Sequence, residues 1–328
     1  MRRADLTCAT IALLFLTCAT LAQPSTTRPA RTRAPKEPSK FLRYVPDARS
    51  GGGELQTSIV TYRNADGVTV DLIGAVHIGD ASYFEELNQR FDAYDAVLFE
   101  MVRPRAAAAA DAEGGAAPKK PGAATAPNLR RPRSLGWIGT LQRFMRDHLE
   151  LEHQLEAIDY DQPNFVHADL DAETFLAMQE QRGESFMMLM IQAMLREMGK
   201  GPGAAGAGQV NPFELLAALQ APDRARQLKI VLAKQFEQMD ETLDALEGPK
   251  GSVILTERNR AALRVLRNRI ELGDDKLAIF YGAGHFKGME KILAEEMGFK
   301  QAAEPQWITA WDLTKPTPTT RPATAPAR

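Results

Sequence analysis

The chain has 328 residues, with 40 Lys and Arg against 42 Asp and Glu, for a net charge of −2. That balance leaves no basic footprint for a polyanion, so no nucleic-acid partner is expected. Both cysteines, Cys8 and Cys18, sit near the start, so disulfide and thiolate chemistry are excluded from everything after Cys18.

Residues 1–22 open with Met1-Arg-Arg3, continue through an apolar run to Leu21, and end on Ala22. A basic start, a short apolar stretch and a small final residue describe a Sec signal peptide, which implies a periplasmic or secreted protein. The run is too short for a transmembrane helix. Phe15-Leu-Thr-Cys18 is a poor lipoprotein box, and a lipidated Cys18 is the one route to membrane association that the sequence offers. Residues 23–50 read as a disordered linker, with the Pro, Thr, Arg and Ser bias concentrated from Gln23 to about Lys40. The tail 315–328 has the same composition, which leaves 51–314 for a single domain with a substantial core. Low-complexity insertions are expected at 103–133 and 199–210.

Taken in order, Ser58–Arg63 and Val68–Ile73 are predicted strands joined by the turn Asn64-Ala-Asp-Gly67. The second strand turns wholly apolar before His77, as a central strand does. Asp80 is placed to cap a helix reaching Tyr94, with Phe84, Leu87 and Phe91 on one face. Ala96–Glu100 is the next buried strand, and the β-α-β unit implies a parallel pair. Amphipathic helices follow over Leu135–Leu149, Leu151–Ile158, Ala172–Gln181, Phe186–Met198, Pro212–Leu219 and Asp223–Leu246. Asn164–Leu170 forms a strand-like link among them. Together they read as a helical insertion, 134–246, between two halves of a sheet. The Met-rich stretch Met187–Met194 serves either as core or as a lid. Glu257–Leu272 is a basic helix, Lys276–Tyr281 a buried strand, Gly288–Met297 a helix closed by Gly298, and Gln306–Asp312 a final strand. The fold class is therefore α/β, with a mixed, largely parallel central sheet, flanking helices and an inserted helical subdomain.

Two strands end alike: Gly74-Ala-Val-His77 and Gly282-Ala-Gly-His285. Ligands of α/β proteins bind at such carboxyl ends. Glu100 ends a third apolar strand, where a carboxylate is costly to bury unless paired, protonated or metal-bound. If the strands are neighbours, His77, Glu100 and His285 converge as two imidazoles and a carboxylate, a set suited to a divalent metal with an open position. Without metal the same groups act as a general base and its orienting acid. The plain alternative is that each histidine satisfies backbone groups at its strand end. Glu257 suits a helix start, where the dipole favours negative charge. Arg258 does not, which suggests recruitment to stabilise an oxyanion or to pair with Glu100. His167 and Asp169 sit where they reach the same site or serve the helical block. His148 and His153 are five apart and share no helix face, so they make poor ligands. No serine elbow, His-Glu-x-x-His motif, P-loop or dinucleotide fingerprint is present.

Gly74-Ala-Val-His77 with Ile78-Gly79, then Val97-Leu-Phe-Glu100, Glu257-Arg-Asn259 and Gly282-Ala-Gly-His285, in this order, resemble the TraB/PrgY/TIKI superfamily, which is related to GumN-like proteins. The resemblance runs from about Val60 to Asp312. It implies an erythromycin-esterase-like fold and a metal-dependent hydrolase, as in TIKI members that act as divalent-metal proteases. It places His77, Glu100 and His285 in metal binding, with Glu100 either third ligand or general base. Arg258 and Glu257 join the catalytic set, and Asn259, Asp169 and His167 contact substrate. Mn²⁺, Co²⁺ and Zn²⁺ all suit such ligands, and a peptide or protein is the expected substrate. Other members have peptide-pheromone or haem-associated roles. The competing readings are therefore a non-catalytic peptide- or haem-binding regulatory protein and a metal-free esterase. The Ala-rich stretch after Glu100 departs from the family spacing, and a surface loop absorbs it. The sequence does not specify an oligomeric state.

Overall fold

The computed structural model describes residues 39–106, 151–184, 212–236, 247 and 251–315. The predicted helices Leu135–Leu149 and Phe186–Met198, the leader, the two low-complexity cores and the tail beyond Lys315 lie outside the described residues.

The core is a mixed sheet of eight strands, with order β1-β2-β3-β8-β5-β7 and two further strands, β9 and β10, on β2. Strand β2 (Gly52–Arg63) is its long organiser. One edge of β2 pairs with β1 (Leu42–Asp47) and then with β3 (Thr69–Ala75). The other edge takes β10 (Gln306–Asp312) and β9 (Lys300–Gln301). All four are antiparallel to β2, while β3, β8 (Lys276–Gly282), β5 (Ala96–Phe99) and β7 (Phe165–His167) are mutually parallel. Only β2 therefore runs against the rest of this sheet.

Apolar runs explain the centre. Leu277 to Tyr281 of β8 and Leu72 and Ile73 of β3 are all fully buried. A parallel strand covered on both faces needs such a continuous run rather than alternation. The expected β-α-β unit forms, but β3 and β5 are not neighbours. Strand β8, which arrives last of the four, inserts between them. This order aligns four consecutive carboxyl ends, those of β3, β8, β5 and β7.

Helix α1 (Ala81–Phe91) covers one face with Tyr83, Phe84, Leu87 and Phe91. Asp80 is its N-cap residue but makes no side-chain cap bond. Its carboxylate instead accepts from the Asp312 N–H at 2.7 Å and stands 4.0 Å from Lys229, tying the helix start to β10. The expectation of a side-chain cap at Asp80 fails because this tertiary donor is available. Tyr83 donates to the Gly74 carbonyl at 2.8 Å, and a side chain at position 74 would approach Phe41 O to 3.2 Å and Ser58 O to 3.3 Å. Glycine is required there by close backbone approach.

Three boundaries differ from expectation. Strand β1 lies within the stretch assigned to a linker: Leu42 and Tyr44 are buried against β2, so alternation over six residues overrides the polar composition around them. The helix predicted over Leu151–Ile158 is a two-residue strand, β6 (Glu152–His153), followed by one turn, α2 (Gln154–Ala157). β6 pairs with β4 (Ile78–Gly79), just past His77, and that ladder competes with helix. The block 134–246 is also not helical throughout: β7 belongs to the central sheet.

Helix α3 (Ala172–Arg182) is capped by Asp171, whose side chain accepts from Thr174 N, and ends at Gly183 with φ 61°. Helices α4 (Pro212–Gln220) and α5 (Arg224–Phe236) follow. Buried Arg226 on α5 donates to the Leu313 and Ser50 carbonyls, joining the sheet's two chain ends. A π-turn, Val253–Glu257, leads into α6 (Arg258–Glu271). Ala261, Ala262, Leu263 and Leu266 face the core, while Arg260, Arg264 and Arg267 are exposed on the opposite face. Helix α7 (Phe286–Glu296) packs through Phe286, Met289 and Leu293. None of the described helices is long and apolar enough to cross a membrane.

Candidate active site at four strand ends

The carboxyl ends of β3, β8, β5 and β7 present, in spatial order, His77, His285, Glu100 and Asp169. Arg258, at the first position of α6, joins them. Its Nη2 lies 2.6 Å from Glu100 Oε1 and 2.6 Å from Asp169 Oδ2, and its Nε lies 2.9 Å from Asp169 Oδ1. The Arg258–Asp169 contact is a two-point fork and the Glu100 contact a shared third bond. The cation that the helix start disfavours is held there by two carboxylates. Among the described residues no acceptor meets its Nη1.

Glu100 Oε2 accepts from the Gly282 N–H at 2.7 Å. A Cβ at position 282 would lie 3.3 Å from that oxygen, so the glycine preserves the approach. Burial pushes the Glu100 carboxyl up, but His285, Arg258, His77 and the Gly282 N–H together pull it down, to about 2. Burial lowers the His285 imidazole to about 4, against a smaller upward pull from Glu100. Burial also raises the Tyr281 phenol well above its usual value, with Asp169 adding to the effect. Tyr281 donates to the Ala168 carbonyl at 2.5 Å and packs edge-on to His285.

The imidazole of His285 has a defined tautomer. Asn259 Nδ2 donates to the His285 carbonyl at 3.0 Å, which orients the amide. Asn259 Oδ1 then accepts from His285 Nδ1 at 2.7 Å. With Nδ1 protonated, neutral His285 keeps its lone pair on Nε2, which faces Glu100 Oε1 at 3.6 Å. Two lone-pair atoms oppose each other across that gap. His77 is exposed at the rim, and its Nδ1 contacts Gln154 Oε1 at 3.2 Å.

The structure thus brings His77, Glu100, His285, Arg258 and Asp169 together. Glu257 is bonded to Arg182 at 2.5 Å and to Arg260 at 3.1 Å, an ion-pair position at the helix start. Asn259 is 2% exposed and meets His285 with both ends of its amide, which orients that ring. Asp169 has a side chain with 0% exposure and anchors Arg258. His167 directs Nε2 to the Met101 carbonyl at 2.6 Å. His153 accepts from Leu155 N and caps α2, in keeping with its weak standing as a ligand. Two residues at the site were not singled out from sequence. Gln154 links His77 to Tyr160, donating to the tyrosine oxygen at 2.9 Å. Reading 151–158 as one amphipathic helix hides Gln154, which the β4–β6 pairing brings against His77.

A divalent cation can be tested against these atoms. Each imidazole turns Nδ1 to a side-chain amide oxygen and keeps Nε2 for a ligand, the usual support for a metal-binding histidine. Each Glu100 oxygen makes one bond and retains a further lone pair. Among the described residues no group of three or more His, Cys, Asp or Glu side chains is already spaced to hold an ion. The donor chemistry fits a divalent ion, with Glu100 and His285 in place and His77 at the rim. Comparison with protein-family profiles and with curated proteins finds no match.

Two outcomes follow from this packing. A Cβ at Gly288 would stand 2.7 Å from Asn259 Nδ2. Gly288→Ala is expected to displace the amide that orients His285, costing about 1–3 kcal/mol as overpacking does. Chemical denaturation checks it, and the backbone φ argues for no other penalty there. The acid limb of stability should also reflect the two depressed groups. With metal chelated, an unfolded chain takes up protons at His285 below about pH 6.5 and at Glu100 below about pH 4.5, before the native chain does. Stability present above pH 6.5 is therefore lost progressively down to about pH 2. Glu100→Gln should flatten the lower part of that loss in denaturation midpoints measured against pH.

Proposed function

We propose that the chain is a metal-dependent hydrolase of peptide bonds, with Mn²⁺, Co²⁺ or Zn²⁺ held by His77 Nε2, His285 Nε2 and Glu100. The observation that carries this reading is the pair of opposed lone pairs, His285 Nε2 and Glu100 Oε1, at 3.6 Å beside a two-carboxylate arginine. The order of the four motifs, which resembles the TraB/PrgY/TIKI superfamily, supports it, as does the placement of the cluster at parallel strand ends. We extend the same reading to an erythromycin-esterase-like fold and, from the leader's composition, to a periplasmic or secreted location.

A divalent ion held by His77, His285 and Glu100 would supply acidification of water and polarisation of a carbonyl. The residues themselves divide the remaining work. Glu100 has both oxygens engaged, Oε1 by Arg258 and Oε2 by the Gly282 N–H. Its role is ligand and anchor for Arg258 rather than general base. Arg258 keeps Nη1 for the substrate and donates to the carbonyl oxygen as negative charge builds. Asp169 holds the guanidinium's orientation, and Asn259 holds that of His285.

Metal content provides the test. Purified full-length protein, loaded with Mn²⁺ or Zn²⁺ and dialysed, is expected to retain about one ion per chain. His77→Ala and His285→Ala are expected to lose most of it. Equal retention by wild type and both variants contradicts the assignment.

A further inference from the structure

The loop after β6 is fastened to His77 on both sides. Gln154 N donates to the His77 carbonyl at 2.9 Å, and Ile78 pairs with His153. Asn88 holds the far end, donating to Ala157 O and accepting from Asp159 N. The loop therefore presents Gln154, 4% exposed, between His77 and Tyr160. The Tyr160 ring is fixed against Phe99, with centroids 5.1 Å apart, and against Phe165. The bonds from His77 to Gln154 and from Gln154 to the Tyr160 oxygen place that hydroxyl behind the rim of the cluster. The negative charge of Glu100 adds to burial in raising the Tyr160 phenol above its usual value.

A carboxamide transmits hydrogen-bond direction, because one end only accepts and the other only donates. When His77 donates from Nδ1, Gln154 Oε1 accepts, and Nε2 donates to the Tyr160 oxygen. The hydrogen of the Tyr160 hydroxyl is then unspent within this chain of bonds. If the amide reverses, His77 carries its hydrogen on Nε2, and Tyr160 spends its own on Gln154. The histidine state that presents an Nε2 lone pair to the site is therefore the state in which Tyr160 has a hydrogen to give.

We propose that Tyr160 is a further catalytic residue: its hydroxyl donates to the carbonyl oxygen of the substrate, and Gln154 couples that donation to the His77 tautomer with an Nε2 lone pair. The assignment rests on the hydrolase reading. It adds a second donor, opposite in chemistry to Arg258, because a phenol supplies a hydrogen bond without a full charge.

The test uses full-length protein and a peptide library as substrate. Tyr160→Phe removes one oxygen and is expected to lower kcat about 10- to 100-fold, with KM and bound metal unchanged. Gln154→Glu offers two acceptors, so His77 keeps its Nδ1 hydrogen while Tyr160 spends its own. It is expected to lower kcat comparably, and the double variant to fall no further than Tyr160→Phe alone. A merely structural tyrosine predicts additive losses instead, and wild-type kcat in Tyr160→Phe overturns the proposal. Nitrogen resonances of ¹⁵N-labelled histidine, read in chelated protein without substrate, should show Nδ1–H at His77. Nε2–H at His77 overturns the coupling. If the wild type turns over no peptide, the hydrolase reading has failed on its own, and the histidine resonances still decide the coupling.

Discussion

Arg258→Met is expected to destabilise the protein by about 3–5 kcal/mol, because it leaves two buried carboxylates facing each other without their cation. The Arg258 side chain is 11% exposed, Glu100 12% and Asp169 0%, so water cannot replace the lost partner well. Among the described residues, Asp169 would keep the Leu170 N–H at 2.7 Å and Glu100 the Gly282 N–H at 2.7 Å, with the His285 lone pair still facing it. Thermal unfolding should fall by roughly 10 °C for a domain of this size. Arg258→Lys, which restores the charge but not the two-point fork, is expected to recover part of that loss. A melting temperature unchanged in Arg258→Met contradicts the view that these three groups form one buried unit.

Glu100→Gln should spare most of the fold and remove most of the activity. The amide keeps the side chain's shape and an oxygen for Arg258, but its nitrogen meets the Gly282 N–H as donor against donor. It also removes the negative charge that offsets Arg258 and any bound cation. Loss of one group that supports charge at the reacting centre costs about 100- to 1,000-fold in turnover. The accompanying stability change should stay near the 1–2 kcal/mol of one compromised buried hydrogen bond. This separation of a large kinetic effect from a small folding effect distinguishes Glu100 from Arg258, whose removal damages both.

Much of this site is legible before folding. Two strands that end in Gly-x-x-His, and one that ends in Glu, state that three polar groups lie at carboxyl ends of buried strands. The cation at a helix start states that Arg258 is there for a partner. What the sequence does not carry is lateral order. Helix α1 connects β3 to β5, and nothing in the local pattern announces that β8 slots between them. Yet that insertion sets His285 between His77 and Glu100. Asn164–Leu170 reads as a strand-like link, but three strand residues, Phe165–His167, do not say which sheet they join, so Asp169 stays open between the site and the helical block. Gln154 is hidden for a related reason: the two-residue ladder of β6 with β4 is a tertiary pairing that overrides a locally helical pattern. Glu257 and Asn259 show the converse limit. Adjacency in a motif placed both at the site, but a helix turns successive residues through different directions. Asn259 faces His285 from within the core, and Glu257 faces Arg182 and Arg260.

The central claim is that the cluster at the four strand ends hydrolyses peptide bonds with a bound divalent ion. Cleavage of a peptide library by full-length protein, with Mn²⁺, Co²⁺ or Zn²⁺ added and with exhaustive chelation, tests it most directly when His77→Ala is run alongside. The account predicts metal-dependent cleavage that chelation abolishes and that His77→Ala lacks. Cleavage that survives chelation, or equal cleavage by wild type and His77→Ala, contradicts it.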